Sequence, residues 1–309
     1  FTPKCQSKSA TTQRERLSGV RWIDVNKGDS TTPKYRSRLV AKEFNDSLRP
    51  DLFAATPPVE GLRMLLSRIA TGDKKRRLLY ADVSRAYFYA PAVRPVYVKL
   101  PSEDLCPGDD GMVGELCMSM YGTRDAAKSW QETLSLHLEG IGFKRGRGHP
   151  SVFHHPQKGL KALVHGDDYV AAGSKENLNW FKAELEKACE MQSQHIGFSE
   201  GTPREGKVLN RIIRCTKNSY EIEADPRHAE LVIEQMEILE EKGVITPGVS
   251  GMEEDDKDED EELQGEMVRE YRGIAARLNY LGPDRLDALF GIKEGCREMQ
   301  KPTTGRGEG

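Results

Sequence analysis

The chain has 309 residues, 37% of them hydrophobic, and a formal net charge of −3, which is enough length for two or three folded units and enough apolar content for a core. No apolar run approaches the roughly 20 residues a membrane-spanning helix requires, and residues 1 to 12 lack the apolar centre of a signal peptide. The six cysteines form no C-x-x-C pair, which argues against a zinc knuckle or a disulfide framework and fits a reducing compartment. The sequence opens on Phe1 and reads as a piece of a longer protein. Its charge is uneven. Glu253 to Glu262 holds nine acids and one lysine, whereas residues 1 to 50 carry eleven Lys/Arg against five Asp/Glu. A basic excess of that kind suits either a polyanionic partner or a solvated basic face.

Residues 1 to 17 are polar and aperiodic and read as a disordered lead-in. Val20 to Val25 alternates as a strand, Asn26 to Asp29 is a turn, and Tyr35 to Lys42 alternates again, so a basic β-hairpin is expected. After Pro57-Pro58, Leu62, Leu65, Leu66 and Ile69 mark one helical face that stops at Gly72. Leu78 to Val83 is a mostly buried strand with Asp82 near its end. An unpaired buried carboxylate is costly, so Asp82 must be solvated, paired or metal-bound. Pro95 to Pro101 is a further strand, and Ala126 to Ile141 places Trp130, Leu134 and Leu138 on a core-facing helix.

Ala162 to Gly173 reads as a β-hairpin with the adjacent acids Asp167 and Asp168 at its tip. Ser174 is positioned to cap a helix through Leu178, Phe181 and Leu185. Val208 to Ile213 pairs with Tyr220 to Ile222, and Asp225-Pro226 starts a helix running towards Gly243. Gly248 to Glu262 is expected to be a disordered acidic linker, followed by helices over Met267 to Leu281 and Leu286 to Met299, split at Gly282-Pro283.

Asp82 at a strand end and Asp167-Asp168 at a hairpin tip are three carboxylates that a sheet can bring together. Mg2+ prefers hard carboxylate oxygens and keeps positions open for substrate phosphates, so such a cluster points to nucleotidyl transfer.

The ordered motifs then resemble the reverse transcriptase of copia-type retrotransposons, over about residues 20 to 302. Tyr35 to Phe44 is similar to the family's Y-K-A-R-L-V-A-K-G-F, Asp82 to Tyr87 to D-V-x-x-A-F, and Val96 to Pro101 to V-Y-x-x-x-P. Met120 to Trp130 is similar to L-Y-G-L-K-Q-A-P-R-A-W, and His165-Gly166-Asp167-Asp168 takes the place of Y-V-D-D. Glu270 to Arg272 and Tyr280 to Asp287 resemble the segment before the family's RNase H domain.

The resemblance implies an α+β right-hand polymerase of fingers, palm and thumb, with an antiparallel palm sheet and the helical start of a connection segment behind it. Fingers and palm would occupy 18–195, a primer-grip hairpin and thumb helix 196–247, an acidic linker 248–265, and a truncated connection 266–309 before an RNase H domain. It implies that Asp82, Asp167 and Asp168 hold two Mg2+ ions, or Mn2+, with Val83 beside them in the metal set. Tyr87 is implied as a steric gate against ribose. Arg38, Lys42, Gly122 and Arg124 are implied at the nucleotide, and Leu209 and Asn210 in the primer grip. The implied partners are an RNA template, a DNA primer, deoxynucleoside triphosphates and the RNase H and integrase segments of a parent Pol polyprotein, in a cytoplasmic or nuclear setting, with no membrane.

Four departures stand out: His165-Gly166 for Tyr-Val beneath the acidic turn, Asp125 for Gln near the expected nucleotide path, Asn210 for Gly, and Leu286 for Pro. The expected function is RNA-directed DNA synthesis. The alternative is a catalytically silent, polymerase-like remnant that binds nucleic acid. A scaffolding role for the acidic run rests on charge alone.

Overall fold

A computed structural model describes residues 6–9, 17–28, 31–44, 49–72, 76–109, 111–243 and 261–303. The chain divides into two compact units, Phe1–Thr202 and Pro203–Gly309. In the first, strand β1 (Gln6–Ser9) pairs antiparallel with β6 (Met112–Glu115), which also pairs with β5 (Tyr97–Lys99). The lead-in expected to lack structure therefore contributes a strand at residues 6–9, because main-chain pairing needs no apolar period. The basic segment forms the antiparallel hairpin β2 (Val20–Asn26) and β3 (Tyr35–Ala41), with Ile23 opposite Arg38.

The central sheet has six antiparallel strands in the order β11-β4-β10-β9-β8-β7, formed by β4 (Arg76–Val83), β7 (Lys144–Arg145), β8 (Val152–His155), β9 (Leu160–His165), β10 (Asp168–Ser174) and β11 (Met191–Gly197). Both faces are covered, which explains why β4 and β10 read as nearly continuous apolar runs. Helix α1 (Val59–Ala70) packs on β4, β9 and β10, burying Leu62, Leu65, Leu66 and Ile69. The opposite face carries Leu79, Ala81 and Val83 into a core with α2 (Ala126–Gly140) and α3 (Lys175–Ala188), through Trp130, Leu134, Leu138, Leu178, Phe181 and Leu185. Ser174 caps α3 by accepting from Asn177 N at 3.3 Å.

The second unit holds the sheet β12 (Glu205–Val208), β13 (Arg211–Cys215) and β14 (Tyr220–Glu223), then α4 (Pro226–Gln235), α5 (Glu266–Leu281) and α6 (Leu289–Arg297). Asp225 caps α4 as its sequence indicates. The helix stops at Gln235, well short of Gly243. Glu237 adopts φ 55°, and bonds from Glu237 N to Glu234 O and from Ile238 N to Ile233 O close a Schellman end. With Glu where such an end usually has Gly, the stop is invisible in the sequence. The acidic linker expected from 248 lies mainly, at 248–260, outside the described residues.

Candidate active site

Strand register brings the acids together. Asp82, near the C-terminal end of β4, lies directly opposite Asp168, the first residue of β10, and Asp168 in turn faces His165 across the turn. Asp167 occupies the turn itself, and its carbonyl accepts from Val83 N at 2.9 Å, which ties the turn to the strand end. Gly166 has φ 62° and open space where a Cβ would lie. Its carbonyl accepts from the indole Nε1 of buried Trp130 at 2.8 Å. The support beneath the turn is therefore Trp130. His165, expected from its position to matter for packing, is exposed.

The carboxylates crowd one another. Burial pushes the Asp82 carboxyl above its ordinary range and the Asp167 charge adds to that, while Arg36 and Arg38 pull it down. Asp168 is also raised, first by burial and then by the charges of Asp167 and Asp82; the Tyr80 hydroxyl, which donates to Asp168 Oδ1 at 2.6 Å, and His165 oppose the shift. Among the described residues no group of three or more His, Cys, Asp or Glu side chains stands arranged to hold a metal ion. The Val83 side chain is a buried hydrocarbon, so only its main-chain carbonyl oxygen has the chemistry of a ligand.

Tyr87 follows a short turn in which Arg85 adopts φ 58° and ψ 42°. Its ring lies 4.5 Å from that of Tyr121, and burial and then Asp167 raise the Tyr87 hydroxyl pKa. The Arg38 guanidinium sits over the Tyr121 ring at 5.0 Å. Arg38, Arg36, Trp22, Phe88 and Tyr121 line a cleft of about 850 Å³. The Gly122 segment packs directly on the end of β3: Ala41 N donates to Tyr121 O at 2.8 Å, and a Cβ on Gly122 would lie 2.0 Å from Ala41 O. With φ 87° as well, this position requires glycine.

Lys42 and Arg124 do not join Arg38. They line a separate cleft of about 470 Å³ with Glu43, Phe44 and Arg94. Asp125, expected to put negative charge near the nucleotide path, is 5% exposed and held by Arg94, whose Nε donates to Oδ2 at 2.9 Å. Arg94 Nη2 also donates to Glu43 at 2.7 and 2.8 Å. The carboxylate that stands in place of Gln is thus buried and paired with Arg94 within the fold.

Leu209 and Asn210 form the two-residue turn between β12 and β13, both at positive φ, 49° and 62°. That is the type I′ geometry, which ordinarily calls for Asn-Gly. Arg211 anchors it by donating to Leu209 O at 3.3 Å and to Asp284 Oδ2 at 2.8 Å.

Motif reading missed Tyr80, Arg36, Tyr121, Trp130 and Arg94 as site residues. Tyr80 had a signal: two positions from Asp82 on one strand puts both on the same face. Trp130 closed the Met120 to Trp130 motif with no indication of its partner at Gly166, and Arg94 had no signal, because its partners are distant in sequence.

Strand register thus gathers Asp82, Asp167 and Asp168 at one strand end and turn of an antiparallel α+β unit. The chain belongs to the reverse transcriptase (RNA-dependent DNA polymerase) family, whose model matches residues 10–247. Among its relatives are the Retrovirus-related Pol polyproteins from transposons RE2 and RE1 of Arabidopsis thaliana, each 24% identical over 93% of this chain. A Putative transposon Ty5-1 protein of Saccharomyces cerevisiae is 33% identical over 36% of the chain and 37% of its own length. The chain spans 19% of the length of the RE2 and RE1 polyproteins. Similar solved structures include an apo telomerase from Candida tropicalis (TM-score 0.47, 8% identity, 94% of this chain and 60% of that one). A foamy viral protease-reverse transcriptase in complex with double-stranded DNA has TM-score 0.37 and 10% identity, over 90% of this chain and 43% of that one.

Proposed function

We propose that this chain carries out RNA-directed DNA synthesis, extending a DNA primer on an RNA template with deoxynucleoside triphosphates. The observation that carries the reading is the register of Asp82 opposite Asp168, with Asp167 tied to Val83 between them. The Asp167 charge raises the proton affinity of both Asp82 and Asp168, and hard carboxylates clustered in this way suit divalent cations. Asp82, Asp167, Asp168 and the Val83 carbonyl would hold two Mg2+ ions, with Mn2+ as a substitute and substrate phosphates completing the shell. When bound, the ions activate the primer 3′-hydroxyl and neutralise the departing pyrophosphate.

The chain's own residues position the reactants. Arg38, steered by the Tyr121 ring and close enough to act on Asp82, meets the triphosphate. Tyr87, stacked against Tyr121, closes the space a 2′-hydroxyl would need. Leu209 and Asn210 present their turn to the primer. Residues 18–195 serve as fingers and palm, 196–247 as primer grip and thumb, and 266–309 as the start of a connection to RNase H and integrase segments of a Pol polyprotein.

The test is extension of an RNA-templated DNA primer with Mg2+, using the chain and its Asp167→Asn variant. Extension by the parent chain and none by the variant supports the proposal. Equal rates in the two would overturn it, and tight salt-sensitive hybrid binding without any extension would favour the silent remnant.

A further inference from the structure

At the other end of β4 from Asp82, roughly 17 Å along the strand at about 3.3 Å per residue, two buried nitrogens have no partner. Arg77 is 6% exposed and its Nε finds no hydrogen bond; His195 Nδ1, on β11, is in the same condition. They are neighbours. His195 pairs in register with Leu79, which places it diagonal to Arg77 and on the same face. The residues directly opposite Arg77 are both glycines, Gly173 and Gly197, so neither flanking strand offers it a side chain.

Helix α3 packs on this face over β10 and β4, while β11 ends the strand order. The helix contributes more positive charge. Burial holds the His195 pKa below its ordinary value, and Arg77, Lys182 and Lys175 each push it lower. Glu186 pairs with Lys182 at 3.5 Å and Glu184 with Lys187 at 2.8 Å, which leaves exposed Lys175 at the helix start as the lysine to consider. A buried donor left without a partner carries a desolvation cost that a bound acceptor removes. An orphaned guanidinium nitrogen beside an imidazole nitrogen that donates in one tautomer, with Lys175 exposed at the start of α3, has the chemistry of an anion cradle.

We propose that Arg77, His195 and Lys175 form a phosphate-binding site on the α3 side of the central sheet, separate from the carboxylate turn. Its ligand is a tetrahedral phosphate, supplied either by a polynucleotide backbone or as a free ion. The multiple donors and positive charges match the oxygens of a phosphate better than a single halide. The site stands independently of the polymerase reading, because none of its residues serves the carboxylates or Arg38.

The experiment measures thermal unfolding of the full chain while inorganic phosphate replaces chloride at constant ionic strength. A saturable rise of about 2–5 °C is expected. In a Lys175→Ala/His195→Gln variant, both positions being at least partly exposed, the apparent phosphate affinity should fall by about tenfold. Arg77→Met, if it folds, should lose the response entirely. A second arm titrates a labelled 15-nucleotide RNA. Weaker binding in the double variant assigns the site to strand phosphates, and unchanged RNA binding beside a lost phosphate response assigns it to the free ion. No saturable response in the parent chain, or the same response in the double variant, overturns the proposal.

Discussion

The Tyr80 hydroxyl donates to Asp168 Oδ1 at 2.6 Å, from a position two residues before Asp82 on the neighbouring strand. One acid is thus held by a residue that shares a strand with another. A hydrogen bond to a charged group contributes about 1.5–3 kcal/mol, so its loss frees the carboxylate to rotate. Tyr80→Phe should fold normally and require roughly tenfold more Mg2+ for half-maximal extension. Mg2+ titration of both extension rate and direct ion binding checks this, and an unchanged requirement would remove Tyr80 from the site.

Tyr87 packs against Tyr121 with ring centroids 4.5 Å apart. Trimming it to Val opens space at the sugar position while leaving the carboxylates in place. A steric contact of this size is worth about 1–3 kcal/mol of discrimination, so ribonucleotide incorporation should rise by roughly 10- to 100-fold relative to deoxynucleotides. Competitive incorporation assays read the ratio directly.

Arg94 neutralises buried Asp125 and also binds Glu43, which itself accepts from Arg124 N at 2.8 Å. Arg94→Ala strands a buried carboxylate. Because the Arg94 side chain is itself 38% exposed, the cost falls below that of a fully buried pair, at about 2–3 kcal/mol. Urea unfolding should show this loss, and the double variant with Asp125→Asn should recover part of it. If the single and double variants are equally destabilised, the pairing does not explain the cost.

Gly122 cannot carry a side chain without striking the Ala41 carbonyl. Gly122→Ala combines that clash with φ 87° and should lower the melting temperature and detach β3 from the Tyr121 loop. Faster amide hydrogen exchange at Ala41 and Glu43 would report the detachment, whereas native protection at both would argue against it.

His195 sets a pH dependence. Its folded pKa lies below the unfolded value of about 6.5, so the unfolded chain binds the proton more readily. The stability contributed by neutral His195 is complete above that unfolded value and is lost as the pH falls through the folded one. Unfolding free energies measured from pH 7.5 to 5 in phosphate-free buffer should decline more steeply for the parent chain than for His195→Gln. Parallel curves would count against this assignment.

By itself the sequence determined the elements and the family. Short apolar runs bounded by turn residues placed β4, β9 and β10, Ser174 and Asp225 marked helix starts, and the spaced motifs singled out Asp82, Asp167 and Asp168, because these signals are local and depend only on neighbours a few residues apart. The tertiary structure alone decided how distant pieces share charge and space. It placed Asp82 opposite Asp168, buried Asp125 under Arg94, put Trp130 beneath the acidic turn, and parted Lys42 and Arg124 from Arg38. Each of those depends on strand register or long-range packing, where a one-residue slip would turn a side chain to the other face. The orphaned Arg77 and His195 belong to the same class: only folding shows that the residues around them leave both without a partner.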